Sequence, residues 1–409
     1  MTQSTYVRNV AVLAACQALF FMCNTVVIST TALVGLQYAP TPALSSLALG
    51  LQFFGTMAGT LPASFLMQRH GRRPGFQLGS LCGVAAGALG WHAIVRGSFA
   101  EFCLAGLFYG VFGAFCQFLR FAAADAANVV TVSDPLAAAR RRGRAIGWVM
   151  AGGTVAALLG PELAEATRDL MAPVLFAGCF AAVAVLAGAL CLVASLLDPL
   201  RSPEATRAGS GRPVLVIIRQ PAALTAFVTA LVAYVTMNLL MTATPLAMIA
   251  CGLGFADSAF AIQWHVLGMF APSFVTGHLV ARFGASRMIG AGTALMGACV
   301  AIALTGVGVA HFAAGLFALG VGWNFMFIGA TTLLTGCHAE AEKAKVQGLH
   351  DFLVFTTVGL SASSAGALHY LLGWQALNLL VIPGLLLVAA LLLVRVGLVP
   401  FGRRQATRG

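Results

Sequence analysis

The chain has 409 residues, of which 60% are hydrophobic and 9% charged, and its 23 basic and 12 acidic side chains give a formal net charge of +11. Soluble domains carry roughly 25% charged residues and 45–50% apolar ones. A water-soluble globule, a disordered chain and a disulfide-stapled secreted domain are therefore excluded, and an integral membrane protein is left.

A helix that crosses a bilayer needs about 20 apolar residues. In chain order such runs lie at 10–36, 42–66, 75–95, 99–128, 144–166, 172–197, 221–250, 258–281, 286–309, 312–336, 347–371 and 374–396, twelve in all. The first follows an N-terminus whose single charge is Arg8. It outruns the roughly 7–15 apolar residues of a signal-peptide core, so it reads as an uncleaved first span. Strand alternation of the outer-membrane type is absent, and helices are the open-chain solution that satisfies every backbone N–H inside the lipid.

Between the sixth and seventh runs lies the longest hydrophilic stretch, Asp198 to Gln220, rich in Pro, Gly, Ser and Arg. It reads as a flexible linker. The expected architecture is an all-α integral membrane protein with twelve transmembrane helices: a six-helix bundle over 1–197, a linker over 198–220 and a second six-helix bundle over 221–409. With an even number of spans both termini share one side, and 20 of the 23 Lys and Arg residues fall there. Arg96 and Arg168 lie in opposite loops and Arg120 inside a span. The positive-inside rule makes the termini cytoplasmic, and a multi-pass protein of the cell inner membrane is expected. The same count reads the +11 as topology, with no nucleic-acid partner.

The two halves echo each other. Arg69-His70-Gly71 after the second span and Arg282-Phe283-Gly284 after the eighth are 213 residues apart. Gly106-Leu-Phe to Gly113 in the fourth span likewise matches Gly315-Leu-Phe to Gly322 in the tenth. A parallel internal repeat of this length points to a secondary transporter of two bundles. Ten cysteines stand singly in apolar stretches, with no C-x-x-C pair and no histidine at metal spacing. They read as small hydrophobes, and neither a metal nor a cofactor is expected.

At this point the sequence resembles the major facilitator superfamily over essentially its whole length. Arg69, Gly71, Arg72 and Arg73 match the family's G-x-x-x-D-R-x-G-R-R signature, with Ser64 in place of the first Gly and Gln68 in place of the Asp. Gly277, Arg282 and Gly284 match in the second half, where Ala281 replaces the acid. The stretches Arg120 to Asp125, Ala151 to Leu163, Met237 to Met248, Gln263 to Phe274 and Gly322 to Phe325 resemble a bacterial branch of the superfamily that includes riboflavin transporters. The resemblance implies a monomer that moves a small organic solute by alternating access, with riboflavin or a similar heteroaromatic metabolite as the compound to try. The alternative within the class is a proton-driven exporter of drugs or siderophores. The resemblance also implies a gate in which Asp125 pairs with Arg69 or Arg72, with Arg282 at the equivalent place in the second half.

Ionisable groups inside a membrane are costly and are functional candidates. Arg120, with Gln117 one turn away, is expected to present donors to a central cavity. Glu162 after Gly160-Pro161, where a kink is expected, His265 and Asp351 beside His350 are the candidate proton sites. For Glu162 and Asp351 an interfacial acid and a favourable helix-start charge are the rival readings. Gln17, Asn24, Asn238, Gln263, Trp264, His265, Trp323 and Asn324 complete a candidate solute lining of amides, indoles and imidazole. The rival for the amides is a helix-to-helix hydrogen bond of about 0.6 kcal/mol. Paired intramembrane aspartates, H-E-x-x-H, a Gly-rich serine site and a P-loop are all missing from the sequence, so an enzyme and an ATP-driven pump are not expected.

Overall fold

The computed structural model describes residues 3–128, 135–200, 211–339 and 342–398. The middle of the expected linker, 201–210, and the C-terminal tail from 399 on lie outside the described residues. Among the described residues the chain is helical and without strands. The first half comprises α1 (Gln3–Tyr38), a short 3-10 turn at Pro42–Leu44, α2 (Leu47–His70), α3 (Arg72–Arg96), α4 (Phe99–Cys116), α5 (Leu119–Asn128), α6 (Pro135–Arg168) and α7 (Ala177–Ala194). The second comprises α8 (Val214–Ile218), α9 (Pro221–Ala250), α10 (Phe255–Phe270), α11 (Ser273–Phe283), α12 (Ala285–Thr305), α13 (Val309–Thr335), α14 (Lys343–Leu379) and α15 (Ile382–Leu398).

Among the described residues, ten helices are long and apolar enough to cross a membrane, and α10 with α11 makes an eleventh as a pair bent by 44°. The tract Lys345–Val394 counts once by composition but runs for 50 residues. That is about 75 Å of helix, more than twice the hydrocarbon thickness, and it breaks at Gly373, whose φ is 77°. With its two arms counted separately, the described residues give twelve crossings.

Two expected spans are each two helices. Between α4 and α5 the chain turns at Gln117–Phe118. Between α10 and α11 it bends at Ala271–Pro272, where proline supplies no backbone N–H. The kink expected at Gly160-Pro161 is no break: α6 runs on through Pro161, and Gly160 sits against Thr25 of α1.

The internal repeat is visible in the packing. In the first half α1 packs on α6 and α7, α2 on α4, and α3 on α4 and α7; in the second α9 packs on α14 and α15, α10 on α13, and α12 on α13 and α15. The repeated Arg-x-Gly cores do the same work twice. Gly71 has φ 93° and Gly284 φ 86°, and each donates its N–H back into the preceding helix, to Met67 O at 3.0 Å and Val280 O at 2.8 Å. A left-handed residue is needed to reverse the chain between two antiparallel helices, and glycine adopts it without steric cost.

Charged groups close each half at the face that carries the N-terminus, here the terminal face. Arg8 of α1 pairs with Asp198 after α7. In the second half Arg212 donates to Glu342 from Nε at 3.0 Å and from Nη2 at 2.8 Å, and to Cys337 O at 3.1 Å. Gln220 donates to the same carbonyl at 3.2 Å.

Candidate solute pathway

The two halves meet along two seams. On the first, α2 and α14 run antiparallel in one steady register. Ser46, just before α2, donates from Oγ to Ser363 O at 3.1 Å and accepts from the Gly366 N–H at 2.8 Å. Gly50 lies so near Ser363 that a Cβ there would stand 1.8 Å from its Oγ. Phe54 covers Gly359, and Thr356 Oγ1 lies 3.3 Å from Met57 Sδ. On the second seam Ala157 of α6 packs with Ile262 and Val266 of α10. Gln263 donates to Leu158 O at 3.3 Å, and Phe21 meets Phe270 edge-on at 4.9 Å. At the end farthest from the terminal face Phe176 packs edge-on against Phe255 at 5.4 Å, and Arg168 lies over the same ring.

Toward the terminal face the seams part. Leu61 and Phe65 of α2 and Phe352 of α14 are exposed, and a Cβ on Gly348 would meet nothing within 4 Å. There α5 packs mainly on α1 and α6, and α11 on α10, α12 and α13, each within its own half. The molecule is closed opposite the termini and open beside them.

The expected gate residues divide. Arg72 and Asp125 are buried together, with Asp125 Oδ2 accepting from Arg72 Nε at 2.9 Å and from Nη2 at 2.8 Å. The guanidinium also lies 3.6 Å from Met67 Sδ and over the Phe118 ring. Arg69 is exposed, and it is Arg72 that holds the acid. Both partners belong to the first half, so the pair locks α5 onto the α2–α3 turn and does not bridge the halves. Arg282 is exposed and stacks on neighbouring Phe283 at 5.3 Å.

The expected lining divides too. Asn324 in α13 is spent inside its own half: Nδ2 donates to Met269 O at 2.8 Å and to Ser273 Oγ at 2.6 Å, and Oδ1 accepts from Thr276 Oγ1 at 2.7 Å. It staples the α10–α11 bend, whose backbone Pro272 leaves short of a donor. His265 is fully buried, with Nδ1 2.9 Å from Leu316 O. Gln263 is committed to the seam with α6. Trp264 is partly exposed in an edge-on cluster with Phe260 and Phe317. Glu162 is exposed at the outer end of α6, and exposed Asp351 pairs with His350 Nδ1 at 3.1 Å.

The remaining candidates lie on helices of both halves. Gln17 is buried, and Asn24, two turns on along the same face of α1, accepts from Gln52 Nε2 at 3.3 Å. Gln52 Oε1, Asn238 Oδ1, Arg120 Nε and Trp323 Nε1 are buried without partners among the described residues. Gln117 is half-buried at the α4–α5 turn, next to the Arg120 turn of helix. Trp323 stacks on Phe327 at 5.1 Å with 7° between the planes, and Tyr234 meets both edge-on at 5.2 and 5.5 Å. Asn238 stands one turn beyond Tyr234 on α9. Arg120 and Asp351 both lie within electrostatic range of the Tyr234 hydroxyl. Tyr234 and Phe327 gain their place from packing, which a search for charged or lone polar residues does not reach, and Gln52 is a lone amide of the second span that the sequence reading passes over.

An orphaned buried polar atom costs about 1–3 kcal/mol. These four are therefore the atoms with most to gain from a partner supplied by a solute.

Comparison with known proteins fits this architecture. Residues 13–272 match the family model for the Major Facilitator Superfamily. The riboflavin transporter RfnT of Brucella anthropi is 41% identical over 401 residues, covering 97% of this chain and 98% of that protein. The uncharacterised MFS-type transporter YdeG of Bacillus subtilis is 30% identical over 379 residues, 88% of this chain and 84% of that one. Among solved structures, a bacterial homolog of the human lysosomal transporter Spinster, in an inward-facing and occupied conformation, superposes with a TM-score of 0.71 at 15% identity, covering 97% of this chain and 98% of that one. The twelve crossings, the doubled Arg-x-Gly turns and the matched relatives together make this chain a member of the Major Facilitator Superfamily.

Proposed function

We propose that this protein carries riboflavin, or a closely related planar heteroaromatic metabolite, across the bacterial inner membrane by alternating access. The observation that carries the reading is the 41% identity to a riboflavin transporter over nearly the whole of both chains. The site chemistry supports it. Isoalloxazine has a flat apolar face and amide-like edges. The Trp323–Phe327 stack offers the face, and Arg120, Asn238 and Trp323 offer unpartnered donors and an acceptor to the edges. Gln17, Asn24, Gln52 and Gln117 extend the polar lining on the first-half side.

The bundles over 1–197 and 221–409 move as two bodies about the closed seams. The terminal face is cytoplasmic by its excess of Lys and Arg, so the conformation described above faces inward. The protein works as a monomer, and each bundle holds its own charged pairs.

The test is growth of a riboflavin-requiring strain that has this protein and no other importer. Growth on low external riboflavin is expected. Failure to grow, with the protein verified in the membrane, overturns riboflavin as the solute. For orientation, a cysteine at Arg168 should react with an impermeant thiol reagent applied outside intact cells, in a background without native cysteines. A cysteine at Arg212 reacting there instead would reverse the topology.

A further inference from the structure

A groove of about 610 Å³ lies between the terminal-face ends of α1 and α6, away from the solute pathway, and Tyr6, Val7, Arg141, Arg144 and Trp148 line it. Its arginines have no carboxylate: among the described residues neither Arg141 nor Arg144 joins an ion pair. Arg141 stacks on the Tyr6 ring at 5.6 Å, and its Nη1 is buried without a hydrogen-bond partner. A buried guanidinium N–H with nothing to donate to is an uncompensated cost.

The groove is half charged and half apolar. Trp148 is 62% exposed, and Val155 and Leu159, seven and eleven residues on, continue the same exposed apolar stripe up α6. The stripe points away from Ala157 and Gly153, which face α10 and its Phe270, so it faces lipid. Trp and Tyr rings at helix ends mark the level of the headgroups, and basic pockets between transmembrane helices on the cytoplasmic side suit anionic headgroups.

We propose that this groove binds an anionic phospholipid. The phosphodiester sits between Arg141 and Arg144, and an acyl chain lies along Trp148, Val155 and Leu159. A soluble phosphate would use the arginines and leave the stripe bare, so the lipid is the ligand that fits both parts.

The full-length protein is reconstituted in phosphatidylcholine vesicles with a minor fraction of dibrominated lipid, and tryptophan quenching is compared with that of Trp148→Phe to isolate the Trp148 component. Each arginine near an anionic headgroup contributes about fivefold, so dibrominated phosphatidylglycerol should quench at roughly 25-fold lower mole fraction than dibrominated phosphatidylcholine. Arg141→Gln with Arg144→Gln should erase that preference, whereas Arg142→Gln, on exposed Arg142, should keep it. Equal quenching by both lipids in the wild type, or a preference that survives the double variant, overturns the proposal. So does loss of the preference on adding glycerol phosphate to the solution, which would make the site one for free phosphate. If the double variant does not reconstitute, exposed Arg144→Gln alone is measured and should lose about fivefold.

Discussion

Leu61 of α2 and Phe352 of α14 stand on the next rung of a register that is closed at every step from Ser46–Gly366 to Met57–Thr356, yet they are 79% and 52% exposed. In an antiparallel pair each step of three or four residues along one helix is matched by an equal step back along the other. The same face of α2 therefore passes from hydroxyls and glycine locked against α14 to large apolar side chains with no cover. Closing the terminal face brings Leu61 onto Phe352 and Phe65 toward Gly348. In a cysteine-free background, Leu61→Cys with Phe352→Cys should cross-link poorly in the resting protein and readily when the outer seam is opened.

The most direct way to open that seam is Gly50→Ala. The added methyl has 1.8 Å to the Ser363 hydroxyl, and overpacking of this kind costs about 1–3 kcal/mol. The population closed opposite the termini should fall by roughly five- to 150-fold, read as faster Leu61–Phe352 cross-linking and slower uptake. Unchanged cross-linking would mean that the seam does not control the switch.

Asp125→Asn leaves a buried Arg72 without its counter-charge. Breaking a buried pair from one side costs about 3–5 kcal/mol, so a lower unfolding temperature and weaker transport are expected. Exchanging the two, Arg72→Asp with Asp125→Arg, should restore part of both. Arg69→Gln, at an exposed position, should leave the unfolding temperature where it was. A large loss there with little loss at Asp125 would shift the lock to the other arginine.

Asn324 and Trp323 are adjacent but should fail differently. Asn324→Ala strands Met269 O and the Ser273 hydroxyl at the bend, and stability should drop by about 1–3 kcal/mol. Trp323→Phe keeps the aromatic stack and removes only an N–H that has no protein partner. It should weaken uptake by roughly five- to 150-fold with an unchanged unfolding temperature. Uptake unaffected by Trp323→Phe would remove that group from the solute site.

Glu342 gives the pH dependence. The hydrogen bonds from Arg212, then that from the Ala339 N–H, hold its carboxyl well below the ordinary 4.5. A depressed carboxylate stabilises the fold above its unfolded pKa, and the contribution is lost as pH falls toward the folded one. The difference in unfolding temperature between wild type and Glu342→Gln should thus be constant from neutral pH down to about 4.5 and shrink below it.

The crossings were legible because a bilayer demands long apolar runs and little else. Their interruptions were not. Pro62, Pro161 and Pro245 lie inside continuous helices, whereas Pro272 stands at a bend. What separates them is the neighbour: Pro272 has Asn324 across from it to take up the freed backbone. That partner is 52 residues away in sequence and becomes visible only once α10 and α13 pack. The candidate site shows the same limit. Residue type and depth singled out Arg120, Asn238 and Trp323, which are left with unpartnered atoms, but also Asn324, which is engaged within the second half, and His265, which is engaged at Nδ1 only. Whether a buried amide faces a cavity or a carbonyl depends on the opposing helix, which hydropathy does not record.

None of the ion pairs described above bridges the halves: Arg72–Asp125 lies within the first, and Arg8 and Glu342 each hold a residue of the 198–220 stretch, Asp198 and Arg212. What crosses between the halves is hydroxyl or amide to carbonyl, glycine to hydroxyl, aliphatic packing and aromatic edges, with Arg168 over Phe255 as the one cationic contact named. Dissolved ions screen charges and leave such contacts alone. The closure is a mechanical catch, set by the fit of side-chain volumes, and a change in ionic strength leaves it fastened.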